Sequence, residues 1–324
     1  MSAEVAVCYV SDVNFLLGTL ISLRSLRQFA ATDAAETYVF YVDPEPDMIE
    51  RVRQAAAGYG ATLVPLRIGD QIDLEGKSWN RTHVPLATLG RFYIERHLPA
   101  HIKRILYVDG DTLFARDPSE LLRFVPQAGM LAAAEDISYY ARNDCGGYGA
   151  KTRQYFAGLG IDGSRGYLNA GLLLARREAW RSIVTEAARY FERHSDKCKY
   201  HDQSALNAVV GDRRTRLSPL WNFQTPFCYW GVRESVEPKV FHFTEFPKPW
   251  MGNVAPWRFL DAAIKEAVAE VSDLRLPAQA LSAEQIRTYD RLRSGQARRL
   301  SSRMPVRLLL RRREFGRLVE EAVL

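Results

Sequence analysis

No glycine-rich phosphate loop, no cysteine cluster and no long apolar run organises this chain of 324 residues. After the first strand-like segment the turn reads Ser11-Asp12-Val13-Asn14, where a dinucleotide-binding fold would carry Gly-x-Gly-x-x-Gly, and a Walker-type loop is missing as well. Any nucleotide must then be held by side chains and a cation, not by a cradle of backbone amides. Cys8, Cys145, Cys198 and Cys228 are scattered without Cys-x-x-Cys spacing, which argues against a zinc site or a disulfide framework and for free thiols in a reducing compartment. The apolar stretches are short and interrupted by charge, and Met1-Ser2-Ala3-Glu4 runs straight into strand-like sequence. Neither a signal peptide nor a spanning helix is expected, so the chain is expected to be cytoplasmic.

What the chain does have is a globular composition, 47% hydrophobic and 25% charged, with its charge unevenly placed. Between Arg287 and Arg317 stand eleven arginines against Asp290 and Glu314, a net +9 that leaves −3 for the rest of a chain whose total is +6. Nearly all the basic character therefore belongs to a C-terminal appendix. After Pro305, leucine and phenylalanine alternate with arginine at roughly helical spacing. Such a segment favours lying on an anionic bilayer, each cation contributing roughly 1 kcal/mol near the surface. Peripheral attachment at the inner membrane face is the expectation, a surface helix packed on the body is the alternative, and nucleic acid is an unlikely partner because stacking aromatics are sparse there.

Along the first hundred and ten residues, strand-like and helix-like stretches alternate in the manner of a parallel α/β sheet. Residues 5–10, 37–42, 61–66 and 105–108 read as strands, and 15–29, 47–58 and 85–97 as helices, from apolar recurrences such as Leu16, Leu20, Leu23 and Leu26. The polar, glycine-rich stretch 136–166 is long enough to be a working loop or a solvated insertion with short helices. A strand over 167–174 and a helix over 180–194 follow. A catalytic body over 1–260 and a helical, arginine-rich extension over 261–324 are expected.

Asp109-Gly110-Asp111 directly follows the apolar run Ile105-Leu106-Tyr107-Val108. Two carboxylates at the mouth of a buried strand carry more negative charge than a dry site tolerates, and so require a cation. Asp-Gly is also an ordinary turn dipeptide. Asp109-Gly110-Asp111-Thr112-Leu113 further resembles the haloacid-dehalogenase phosphatase signature, in which the first aspartate attacks phosphorus. That signature normally occupies a first strand, and no later acidic pair stands ready to hold its Mg²⁺.

Together with His83, Arg91, Tyr167-Leu168-Asn169-Ala170-Gly171, His201-Asp202-Gln203 and the late segment Phe241-His242-Phe243-Thr244-Glu245-Phe246-Pro247-Lys248-Pro249-Trp250, these residues resemble the family 8 retaining glycosyltransferases of GT-A fold. The likeness is strongest to bacterial lipopolysaccharide galactosyl- and glucosyltransferases and extends from about Val5 to Trp250. It implies a mostly parallel nucleotide-binding sheet flanked by helices, and a UDP-hexose donor. It also implies a glycan, glycolipid or lipopolysaccharide-type acceptor, and Mn²⁺ (or Mg²⁺) held by Asp109, Asp111 and His242. Two oxygen donors plus an imidazole suit Mn²⁺ better than Ca²⁺.

The same resemblance implies nucleotide contacts from Val10, Asp12, Asn14, His83, Arg91, Gly110 and Lys248, although a capping role for Asp12 before a helix at Phe15 is equally natural. It puts Asn169, Asp202 and Gln203 beside the donor sugar and Lys248 beside the departing diphosphate. One departure stands out: the family usually has glycine three residues after the late histidine, where this chain has Glu245. A carboxylate there could crowd or repel a diphosphate. It leaves open a degenerate transferase that binds nucleotide-sugar without turnover.

Overall fold

The computed structural model describes residues 3–29, 34–72, 86–144, 146–162, 166–277 and 279–324. His83 and Cys145 lie outside them. Cys8, Cys198 and Cys228 are free thiols.

The N-terminal half forms as its apolar periodicities require. Strand β1 (Val5–Ser11) is followed by helix α1 (Leu16–Arg27), β2 (Glu36–Val42), α2 (Pro46–Gly58), β3 (Ala61–Leu66) and β4 (Arg104–Val108). β3, β2, β1 and β4 pair in parallel in that spatial order. Both faces of β1 are covered: Ala6, Cys8 and Val10 enter one core, while Val5, Val7 and Tyr9 enter the other with Leu16, Leu20 and Leu23 of α1. Continuous apolar sequence is what a doubly covered parallel strand needs.

Residues 86–97 depart from the expected α-helix and form two 3-10 segments, Leu86–Phe92 and Ile94–His97. Gly90 explains part of this, because a Cβ there would stand 2.8 Å from Val10 Cγ1; the segment is pressed against the ends of β1 and β2. Side-chain to backbone bonding adds to it, with Arg91 Nε donating to Thr88 O at 3.0 Å.

The second half changes the direction of the sheet. After β5 (Thr112–Phe114), α3 (Ser119–Arg123) and β6 (Leu131–Glu135) come two short helices, α4 (Ile137–Ala141) and α5 (Gly147–Gly158), in the stretch expected to be a loop or insertion. β7 (Leu168–Arg176) then runs antiparallel between β4 and β6, so its start lies beside the end of β4. α6 (Arg177–His194), α7 (His201–Val210), β8 (Arg214–Arg216), β9 (Phe223–Gln224), α8 (Thr225–Tyr229) and β10 (Val240–His242) complete the body. β8 closes the seven-stranded sheet beside β6, and β5, β10 and β9 form a second sheet of three.

Three helices end the chain: α9 (Asp261–Glu270), α10 (Ala283–Arg303) and α11 (Pro305–Glu321). Ile264 and Ala267 of α9 join the core under α1. α11 sinks Leu308, Phe315 and Leu318 into an aromatic cluster with Phe223, Phe227 and Trp230. Arg311 pairs with Asp144, Arg312 donates to the Trp230 carbonyl, and Arg142 pairs with Glu314. The basic tail is thus packed on the body along one face, and several of its arginines are engaged there. Its opposite face leaves Val306, Leu309 and Leu310 exposed. Among the described residues no helix is long and apolar enough to cross a membrane.

Candidate functional site

Topology brings distant sequence to one point. Asp109 and Asp111 occupy the turn between β4 and β5, beyond the carboxyl end of a central strand, where open α/β sheets gather ligands. That turn lies so close to α1 that a Cβ on Gly110 would stand 2.1 Å from Thr19 Oγ1. β10 pairs antiparallel with β5, setting His242 opposite Thr112, and Phe243 N donates to Asp111 O at 2.8 Å. Because β7 is antiparallel to β4, Asn169, Ala170 and Gly171 arrive at the same end, where Gly171 O accepts from Asp109 N at 2.8 Å. A side chain at Gly171 would collide with the His242 ring, its Cβ falling 2.2 Å from Cε1.

The ligand atoms of Asp109, Asp111 and His242 all lie within 4.8 Å of one another. His242 Nε2 is 3.2 Å from Asp111 Oδ1 and 3.8 Å from Asp109 Oδ2. The other imidazole nitrogen, Nδ1, lies 2.7 Å from Asn222 Oδ1, Asn222 Nδ2 donates to Asn169 Oδ1 at 2.8 Å, and Asn169 Nδ2 donates to Asp136 Oδ2 at 2.9 Å. Along this buried relay each amide oxygen accepts, so Nδ1–H is held on Asn222 and the ring is turned with Nε2 toward the two carboxylates. Two carboxylates and an imidazole so oriented are a fitting donor set for a borderline divalent cation.

Cationic side chains offset the acidic pair. Lys248 Nζ donates to Asp111 Oδ2 at 2.8 Å and also to the Phe243 carbonyl. Burial opposes ionisation of Asp111, yet Lys248 and His242 beside it outweigh that and hold the carboxyl well below its usual range. Arg91, 3% exposed, reaches Asp109 Oδ1 at 3.0 Å, Asp202 Oδ2 at 3.1 Å and Ala170 O at 2.6 Å. Its guanidinium lies over the Tyr107 ring, whose hydroxyl donates to Asp109 Oδ1 at 2.6 Å. For Asp202 burial wins over Arg91, and its pKa is pushed up to about 6.

These groups open on a cleft of about 320 Å³ lined by Arg91, Asp109, Asp111, Asn169, Asp202, Gln203, His242 and Glu245, among others. Gln203 Oε1 accepts from Ala170 N at 3.0 Å. Asp12 Oδ1 accepts from Asn14 N at 3.0 Å and Phe15 N at 3.1 Å, which holds the turn before α1; the described lining of the cleft includes neither Asp12 nor Asn14, and Val10 is buried in the core. Glu245 stays at the cleft wall with Arg293 beside it, and burial raises its pKa against the pull of Arg293 and Lys248. Asn222, Asp136 and Tyr107 had no motif to reveal them. Asn222 ends a 3-10 turn, Asp136 looks like any loop aspartate, and Tyr107 passes for an apolar strand residue.

The sequence model described as Glycosyl transferase family 8 matches residues 6–253. General stress protein A of Bacillus subtilis (strain 168) is 26% identical over 269 residues, 76% of this chain and 88% of that protein. Glycosyltransferase GlyD of Streptococcus pneumoniae serotype 4 is 24% identical over 237 residues, covering 66% of this chain and 25% of its own length. Among solved structures, galactosyltransferase LgtC in complex with donor and acceptor sugar analogs superposes with a TM-score of 0.65 at 18% identity, over 86% of this chain and 98% of that one. The apo form of glycosyltransferase GlyE from Streptococcus pneumoniae TIGR4 gives 0.58 at 18% identity, over 84% of this chain and 62% of its own. With the family match spanning every strand of both sheets and the LgtC-like architecture around an Asp-Asp-His cluster, the chain belongs to glycosyl transferase family 8 and has the GT-A fold.

Proposed function

We propose that the protein transfers a hexose from a UDP-sugar, with retention at the anomeric carbon, to a hydroxyl of a glycolipid or lipopolysaccharide-type acceptor. The observation that carries this is the convergence of Asp109, Asp111 and His242 on one point of the cleft, with His242 Nδ1 tied to Asn222 so that Nε2 faces inward. A Mn²⁺ ion held by these three would supply Lewis-acid stabilisation to a departing diphosphate. Lys248, already drawn to Asp111, would add a fixed ammonium where the same charge develops.

Asp202 is committed to Arg91, which makes it a poor nucleophile, and the Gln203 amide is poorer still. Front-face displacement fits both. The anomeric carbon to phosphate oxygen bond breaks as the bond to the acceptor oxygen forms on the same face, and the acceptor proton passes to the leaving phosphate oxygen. Gln203 would then steady positive charge at the anomeric centre, and a glycosyl adduct trapped on Asp202 would reject this path. The exposed Val306, Leu309 and Leu310, with the exposed Arg313 on the same side of α11, support a narrower membrane-facing surface than the whole arginine tail.

Incubating the protein with Mn²⁺ and a panel of UDP-hexoses tests the reading. Release of UDP from one donor well above the others is expected, and its loss in Asp109→Ala. UDP binding without release from any donor would favour a binding-only role.

A further inference from the structure

Glu245 is a carboxylate on the wall of a cleft proposed to receive a diphosphate. Left alone it would repel the ligand. It is not left alone: Arg293 Nη1 of α10 stands 2.9 Å from Glu245 Oε2, offset from the line of a good hydrogen bond, so the contact is chiefly one of charge. The two side chains are 16% and 30% exposed, shielded enough for a Coulombic interaction to persist in salt.

Arg293 also holds the backbone of the same loop, donating from Nη2 to Phe246 O at 2.6 Å. Further contacts staple α10 along the segment that follows His242. The rings of Tyr289 and Phe246 meet edge to face at 5.5 Å, and Asp290 Oδ1 accepts from Ala255 N at 3.0 Å. Glu245 lies inside the region matched by the family, residues 6–253, whereas α10 lies wholly beyond it. The cation that answers this carboxylate thus comes from the C-terminal appendix.

We propose that Arg293 is a positioning residue that neutralises Glu245, so that the cleft admits a nucleoside diphosphate and the Lys248 loop keeps its place. The inference rests on the UDP-sugar reading above and assigns part of the basic tail to the donor site. UDP binding to the full chain with Mn²⁺, followed by calorimetry, tests it in four proteins: wild type, Arg293→Met, Arg293→Lys and the double variant Glu245→Gln with Arg293→Met.

Arg293→Met is expected to weaken UDP binding about tenfold or more, since an uncompensated carboxylate near a diphosphate costs at least that factor. Arg293→Lys should stay near wild type, and the double variant should recover most of the lost affinity. Recovery separates charge compensation from simple support of the loop, because Glu245→Gln restores no contact made by the missing guanidinium. Unchanged binding in Arg293→Met overturns the proposal, as does a loss that the double variant fails to rescue. A wild-type chain that binds no UDP overturns the underlying reading and this inference with it.

Discussion

At the scale of single residues, the site is governed by which way protons and lone pairs point. Asn222 holds the His242 ring by its Nδ1 while passing its own amide hydrogen to Asn169. Asn222→Leu frees the ring and removes one of the donors to Asn169 Oδ1, which keeps the Gly171 amide. Loss of such an outer partner typically costs about 10–100-fold in metal affinity, so Mn²⁺ titration should register a drop of that order while the fold survives. Asp202 offers a test in pH. Burial raises its pKa from 3.8 to about 6, so the folded chain holds this proton more tightly than the unfolded chain does. The stability it contributes is therefore present below the unfolded value and is lost as pH rises through about 6. Denaturant midpoints of Asp202→Asn and wild type, compared across that window, should converge at the acid end and separate toward neutral pH, with the variant the more stable above the transition.

At the scale of elements, α11 shows how one helix divides its labour. Leu308, Phe315 and Leu318 face the aromatic cluster, and Val306, Leu309 and Leu310 face away. Phe315 lies 5.0 Å from Phe227 and 6.0 Å from Phe223, ring to ring. Phe315→Ala should cost about 3–5 kcal/mol, the usual range for emptying a packed aromatic site, and lower the thermal midpoint. Leu309→Ser with Leu310→Ser should leave the midpoint nearly unchanged and reduce sedimentation with anionic liposomes; undiminished sedimentation would remove the membrane-facing assignment. The helical period of this segment was legible in the sequence, but not the body surface that takes up its buried face. That surface is assembled from Tyr140, Phe227 and Trp230, which come together only in three dimensions. Residues 86–97 failed as an α-helix for a related reason: close packing of Gly90 against β1 and β2 overrode a local pattern.

At the scale of the whole molecule, the parallel half of the sheet could be read directly, because β1, β2 and β4 are mainly apolar runs and β3 alternates buried with exposed residues, each bounded by turn residues. The antiparallel entry of β7 could not. A run such as Leu172-Leu173-Leu174 carries no mark of direction, yet that direction sets Asn169 beside Asp109 and makes the relay to His242 possible. The acidic pair, the late histidine and Lys248 were legible as separated motifs, whereas their convergence depends on β10 pairing with β5 across more than a hundred residues. The charge asymmetry was legible as well, but its meaning shifts: Arg311, Arg312 and Arg293 answer groups on the body and at the cleft. The central claim is that Asp109, Asp111 and His242 grip one divalent cation. Paramagnetic resonance of Mn²⁺ titrated into the protein with UDP tests it most directly. One site per chain in the wild type, lost in both Asp109→Ala and His242→Ala, is the predicted result, and undiminished Mn²⁺ binding in either variant would contradict it.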